Sequence, residues 1–132
     1  MDMATLTGAQ MIATGKRHAA VASNSDRLDL LAQASGRYSG DLVHPIPYCP
    51  EFFKSEFSSK VADMKNSVRD RSNAQSSCAG QFIANHIDDF IEGSGDWLHI
   101  DMAGPASSGE RGTGYGVALL YSLVKDITSA GW

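Results

Sequence analysis

Apolar and polar positions alternate along this chain in short blocks that switch between strand-like and helix-like spacing. Asp2 to Leu6 is a short apolar run that reads as a buried strand, ending in a Thr-Leu-Thr-Gly turn at Gly8. Ala9 to Ala13 has a brief helical pattern, closed by Gly15. "HAAVASNS" (His18 to Ser25) is a second strand candidate built from small, β-compatible residues. Asn24, Ser25 and Asp26 then offer N-cap chemistry to a helix that places Leu28, Leu31 and Ala32 on one face and runs on through Ala34 and Gly36. "GDLVHPIPYCP" contains Pro45, Pro47 and Pro50, whose fixed φ and missing N–H predict an extended, irregular segment. Glu51 to Phe57 reads as a short helix with Phe53 and Phe57 one turn apart.

Val61 to Val68 fits either a strand or an ordered loop, and Arg69 to Gln75 is polar and turn-rich. From Ser76 or Ser77 the spacing predicts one helix to about Ile91, with Ala79, Phe82, Ile83, His86, Ile87 and Phe90 as its apolar face. Gly93 to Asp96 breaks it. "WLHIDMAG" (Trp97 to Gly104) is the clearest strand, a Gly-rich loop follows, and "GVALLYSLVKDI" forms a closing helix. No repeat or linker divides the chain, so the alternation predicts a single α/β layer structure. The first strand is apolar and starts at residue 2, so it is expected to lie inside a sheet whose other strands precede it.

A length of 132 residues suits one domain. A composition of 42% hydrophobic and 20% charged residues excludes disordered, collagen-like and disulfide-scaffold classes. The net charge is −4 and the basic residues are scattered, so the clustered footprint of a nucleic-acid binder is missing. Cys49 and Cys78 are far apart, and the first residues lack the charged and apolar regions of a signal peptide. Free thiols in a reducing compartment are the expectation. No stretch approaches the ~18 to 20 apolar residues of a membrane span. The expected location is cytoplasmic, with neither membrane nor nucleic acid as a partner.

Candidate chemistry is sparse. His18, His44, His86 and His99 show no ligand spacing, so they are expected in structural or surface roles. Cys78 begins a helix, where the dipole favours a thiolate, but no histidine base is placed for it by sequence and packing is the expected role. Gly112, Gly114 and Gly116 resemble a phosphate loop superficially. Only 16 residues follow Gly116, too few for a dinucleotide fingerprint, and close backbone passage is expected instead. Asp63 and Asp101 are more suggestive. Asp101 is embedded in an apolar strand, where a carboxylate is costly unless it is hydrogen-bonded, so a structural hydrogen-bonding role is expected for both.

"DMATLTGA" (Asp2 to Ala9), "VADMKN" (Val61 to Asn66), "CAGQFIANHI" (Cys78 to Ile87), "WLHIDMAG" and "RGTGYGVALL" (Arg111 to Leu120) occur in an order and spacing that resembles the C-terminal peptidase domain of the leucyl (cytosol) aminopeptidase family. "KNSVRDRSNAQSSCAG" (Lys65 to Gly80) and "GDLVHPIPYCPE" are most similar to the animal probable aminopeptidase-like branch. The resemblance extends over essentially the whole chain. It implies that residues 1–132 are the C-terminal part of a metalloaminopeptidase catalytic domain. The implied fold is a partial three-layer α/β/α domain with a mixed sheet, the N-terminal strands of the domain being absent from this chain.

The activity it implies is release of N-terminal amino acids from peptides, with two divalent cations, zinc or manganese, activating a bridging water. It also implies a hexameric homo-oligomer. In the family the metal ligands, and the lysine and arginine that stabilise the transition state, come from a lysine/aspartate stretch and an Asn-x-Asp-x-Glu-Gly-Arg motif. Both precede the Thr-Leu-Thr-Gly turn and would lie upstream of Met1. The resemblance therefore assigns no metal ligand and no catalytic residue here, and implies that this chain alone is inactive and holds no metal. What carries over is substrate binding: Thr5, Leu6, Thr7 and Gly8 match the turn lining the site, and Ala103 and Ala106 match the wall of the pocket for the first side chain. Relatives often carry a bulkier residue at the position of Ala106, which implies a roomier pocket. The alternative is a non-catalytic short product that associates with full-length aminopeptidase subunits through the strand Asp2 to Leu6.

Overall fold

Capping chemistry starts the first two helices where the sequence offers it. In the computed structural model, which describes residues 1–129, Thr7 Oγ1 accepts from Gln10 N at 3.1 Å and opens α1 (Gly8–Thr14). Ser25 opens α2 (Asp26–Ser39), which stops at Gly40 in the left-handed conformation. The last three residues of the expected domain, 130–132, lie outside the described residues.

Four strands form one mixed sheet: β1 (Asp2–Ala4), β2 (Ala19–Ser23), β3 (Val43–Pro45) and β4 (Leu98–Asp101), in the order β1-β4-β2-β3. β1 runs parallel to β4, β4 antiparallel to β2, and β2 parallel to β3. The two central strands alternate their side chains between two helical layers. Ala19, Val21, Leu98 and Ile100 pack against Leu28 and Ala32 of α2 and Leu119 and Leu123 of α6 (Val117–Ser129). On the other face lies α4 (Gln75–Ala84), so close that a Cβ added at Gly80 would stand 3.1 Å from the His99 ring and 3.8 Å from Ala22 Cβ. The result is the three-layer α/β/α arrangement that the resemblance implies. A second apolar cluster sits outside α4: Phe53 of α3 (Pro50–Phe53), Phe57 of the following 3₁₀ turn and Cys78, with Met64, Val68 and Phe82 against them.

Two expectations are corrected. The proline-rich stretch is not irregular throughout, because Val43–Pro45 pairs with β2 as an edge strand. Ile46 N donates to Val21 O at 2.8 Å, so the position of the missing Pro45 N–H faces away from β2 and costs no ladder bond. The single helix to Ile91 is three pieces: α4 ends at Ala84, a 3₁₀ turn spans Asn85–Ile87, and α5 covers Asp88–Glu92. Its buried face is Ser76, Ser77, Cys78, Gly80, Gln81 and Ala84, because the sheet lies too close for larger side chains; Phe82 turns to the second cluster and Phe90 is 55% exposed. Val61 to Val68, which fits strand or loop by sequence, is loop. Among the described residues β1 pairs with β4 alone, which leaves its other edge open to the preceding strands that the resemblance implies. A short hairpin, β5 (Ser107–Ser108) and β6 (Arg111–Gly112), precedes α6.

Candidate functional site

Parallel pairing of β1 and β4 brings their carboxyl ends to one edge of the sheet, where α/β folds bind ligands. Asp101, the last residue of β4, is fully buried there. Its Oδ1 accepts from Leu6 N and Ala103 N, both at 3.2 Å, and its Oδ2 accepts from Thr7 Oγ1 at 2.7 Å. One carboxylate therefore joins the β1–α1 turn to the loop after β4. Met102 N adds a bond to Ala4 O at 2.7 Å. The hydrogen-bonding role expected of Asp101 is the one it has. Asp63 stands apart on an exposed loop.

Gln10, which the sequence did not single out, is the second organiser. It is the buried residue of α1. Its Nε2 donates to His18 O and Thr14 Oγ1, both at 2.6 Å, and its Oε1 accepts from Gly104 N at 2.6 Å. A Cβ at Gly104 would lie 2.5 Å from Gly15 O, so this loop approaches the α1–β2 turn as only glycine permits. The available signal was a polar side chain at the inward position of a short helix.

Two clefts open beside these anchors. Leu6 and Thr7 line one of about 390 Å³, with Phe57, Val68, Arg71 and Phe82 among its other walls. Ala103 lines another of about 650 Å³, with Lys16, Arg17, Pro105 and Tyr115. Thr5 and Gly8 are exposed on the turn itself. Ala106 is half-buried and borders neither cleft; its N–H donates to Met102 O at 3.1 Å and its carbonyl accepts from Thr113 N at 3.0 Å. The six predicted positions thus share one sheet edge, but Leu6 and Ala103 face different hollows.

The remaining candidates are structural. His99 is fully buried, its Nδ1 is 2.5 Å from Asp2 Oδ1, and its ring stacks on Trp97, whose Nε1 donates to Asp2 Oδ2 at 2.8 Å. His86 is exposed, edge-on to Phe82. The Cys78 thiol is pushed up to about 11 by burial, with the negative Glu56 adding to the effect, so no helix-terminal thiolate is formed. Gly116 donates to Asp41 Oδ2 at 2.9 Å, and a Cβ there would meet Met3 Cε at 2.4 Å, the close passage expected of the glycine loop. Among the described residues no three His, Cys, Asp or Glu side chains converge on a point that could hold a metal ion. No helix among them is long and apolar enough to cross a membrane.

Residues 1–121 match the family model described as "Cytosol aminopeptidase family, catalytic domain". Human "Probable aminopeptidase NPEPL1" is 60% identical over 123 residues, covering 93% of this chain and 23% of that protein. "Leucine aminopeptidase 1" of Caenorhabditis elegans is 46% identical, covering 97% and 26%. The apo structure of leucyl aminopeptidase from Trypanosoma cruzi superimposes with a TM-score of 0.88 at 50% identity, covering 95% of this chain and 24% of that one. The chain spans about a quarter of the length of the curated relatives it matches.

Proposed function

We propose, from the premise that this chain belongs to the cytosol aminopeptidase family, that it is the C-terminal part of an aminopeptidase catalytic domain and forms one wall of the peptide site. The observation that carries this is the Asp101 carboxylate, which gathers Leu6, Thr7 and Ala103 at the carboxyl ends of β1 and β4. With Asp101 holding it, the Thr5–Gly8 turn presents backbone groups at a fixed edge, a surface suited to align an extended peptide. Ala103, on the neighbouring loop, is proposed as the small wall of a side-chain pocket, with Ala106 behind it holding the loop through its bonds to Met102 and Thr113. The 390 Å³ cleft beside Leu6 offers Phe57, Val68 and Phe82 to another part of the same peptide.

The reaction proposed is hydrolysis of the first peptide bond. The implied zinc or manganese pair would polarise the scissile carbonyl and activate water. The residues present do not fit such a pair, since the Asp101 and Asp2 carboxylates are already committed to protein donors and, among the described residues, Asp63 belongs to no group of three His, Cys, Asp or Glu side chains that could hold a metal ion. No step through a metal is assigned to this chain, and by itself it is proposed to be inactive. A hexamer in the cytoplasm is the proposed state of the longer protein.

The test is the native species carrying this sequence, captured with an antibody against residues 76–92 and weighed intact. A species several times heavier than 14.1 kDa that releases N-terminal residues in the presence of zinc or manganese supports the reading. A heavier species with no such activity overturns it. A second reading, a non-catalytic partner of full-length subunits, is favoured by one observation: β1 is an edge strand among the described residues, and an unpaired edge templates association. Co-purification of the 14.1 kDa chain with a full-length aminopeptidase would support it, and failure to co-purify would sink it.

A further inference from the structure

We infer that Arg71 makes the cleft beside Leu6 and Thr7 selective for peptides carrying a carboxylate beyond their first residue, an inference that rests on the aminopeptidase reading. Arg71 is the one ionisable side chain among the residues lining this cleft; the others are apolar or uncharged, Thr7, Asn66, Ser67 and Gln75 being the polar ones. A guanidinium stays protonated at any working pH and presents a donor fork matched to a carboxylate. Gln75 Nε2 donates to the Arg71 carbonyl at 2.8 Å, and among the described residues the guanidinium itself has no hydrogen bond or ion pair.

The loop carrying Arg71 is held in place before any ligand arrives. Glu56 Oε2 accepts from Arg69 N and Asp70 N, both at 2.8 Å, and its Oε1 accepts from Asn73 Nδ2 at 3.0 Å. Asp70 Oδ1 accepts from Ser72 N at 2.8 Å and from its hydroxyl at 2.7 Å. The Glu56 and Asp70 carboxylates are therefore occupied by the loop's own donors, and the backbone that carries Arg71 is ordered before a ligand arrives. Arg71 also repels the ammonium at a peptide's start, which sets direction: the amine points away and the later part of the peptide enters. The adjoining hollow, across Phe57 and Phe82, carries Asp63 together with the Lys54–Asp88 ion pair, a lining of net negative formal charge that offers a carboxylate less than Arg71 does. The carboxylate comes either from an acidic second side chain or from the free end of a dipeptide.

Backbone-amide NMR titrations of the 132-residue chain with three peptides separate the cases: leucyl-glutamate with an amidated end, leucyl-leucine with a free end, and leucyl-leucinamide, which has no carboxylate. At least one of the first two is expected to bind about three- to tenfold tighter than the third, with shifts at Leu6, Thr7 and Val68, the favoured one naming the source. Arg71→Gln removes the preference and leaves leucyl-leucinamide unchanged; Arg71→Lys keeps part of it. Equal affinities, a preference that survives Arg71→Gln, or no binding of any peptide overturns the inference. Activity of the native species carrying this sequence distinguishes its failure from that of the aminopeptidase reading. Release of N-terminal residues by that species, with no carboxylate preference in the chain, sinks only the role of Arg71, and a carboxylate preference in the chain with no such release by the native species sinks only the aminopeptidase reading.

Discussion

Thr7 Oγ1 donates to Asp101 Oδ2 at 2.7 Å across 94 residues of sequence, while accepting from Gln10 N at 3.1 Å. Its one proton is spent on the carboxylate, so Ser76 is the donor in the 2.9 Å contact between the two hydroxyls. A single side chain thus caps α1, fastens α4 and closes the β1–α1 turn on β4.

Asp101→Ala strips acceptors from Leu6 N, Thr7 Oγ1 and Ala103 N together. Leaving such part-buried donors unpaired is expected to cost about 2–4 kcal/mol in chemical denaturation. Thr7→Val removes the cap and one of those bonds and costs less, about 1–2 kcal/mol. The double variant is expected to fall short of the sum, because both changes break the same bond.

At Gly104 a methyl group would collide with Gly15 O at 2.5 Å and Gln10 Oε1 at 2.9 Å. Backbone cannot step aside as a flexible side chain can, so Gly104→Ala is expected to destabilise by about 1–3 kcal/mol. Gly8→Ala, where nothing lies within 4 Å, is the control and should be near neutral. Equal melting temperatures for the two variants would contradict the packing described.

The amide of Asp70, the Asn73 side chain and the amide of Arg69 hold the Glu56 carboxyl below its ordinary value. A depressed folded value means stability that is present above the unfolded carboxyl range, about 4.3, and is lost as pH falls through the folded one. Wild type should therefore lose melting temperature below about pH 4.3 more steeply than Glu56→Gln. Parallel curves would show that the loop does not depend on this charge.

Burial raises the Cys78 thiol to about 11, and burial raises the Tyr115 hydroxyl to about 12 even as it donates to Leu42 O at 2.8 Å. Raised folded values mean stability that is complete below the unfolded values, about 8.5 and 10, and lost as pH rises through the folded ones. Urea midpoints should fall from pH 8 to pH 11, less so in Cys78→Ala. Alkylation of the native chain at pH 8 should mark the half-buried Cys49 first, and Cys78 only once urea is added. Labelling at equal rates would place Cys78 outside the core.

Much of the local structure was legible in the order of residues. Ser25 capped the second helix as its neighbours promised, the "WLHIDMAG" strand formed, and a carboxylate inside it had to be hydrogen-bonded. These follow from capping, side-chain period and the cost of burying charge, each acting over a few residues. Tertiary structure decided which donors Asp101 would meet, because Leu6 and Thr7 lie 95 and 94 residues away and arrive only through the parallel register of β1 and β4. It also decided that α4 would bury serines, glycine and glutamine while Phe90 stayed exposed, since closeness to the sheet admitted only what fitted over His99. Periodicity names the elements, but the distance between two packed layers selects the face, and strand register across the whole chain builds the site.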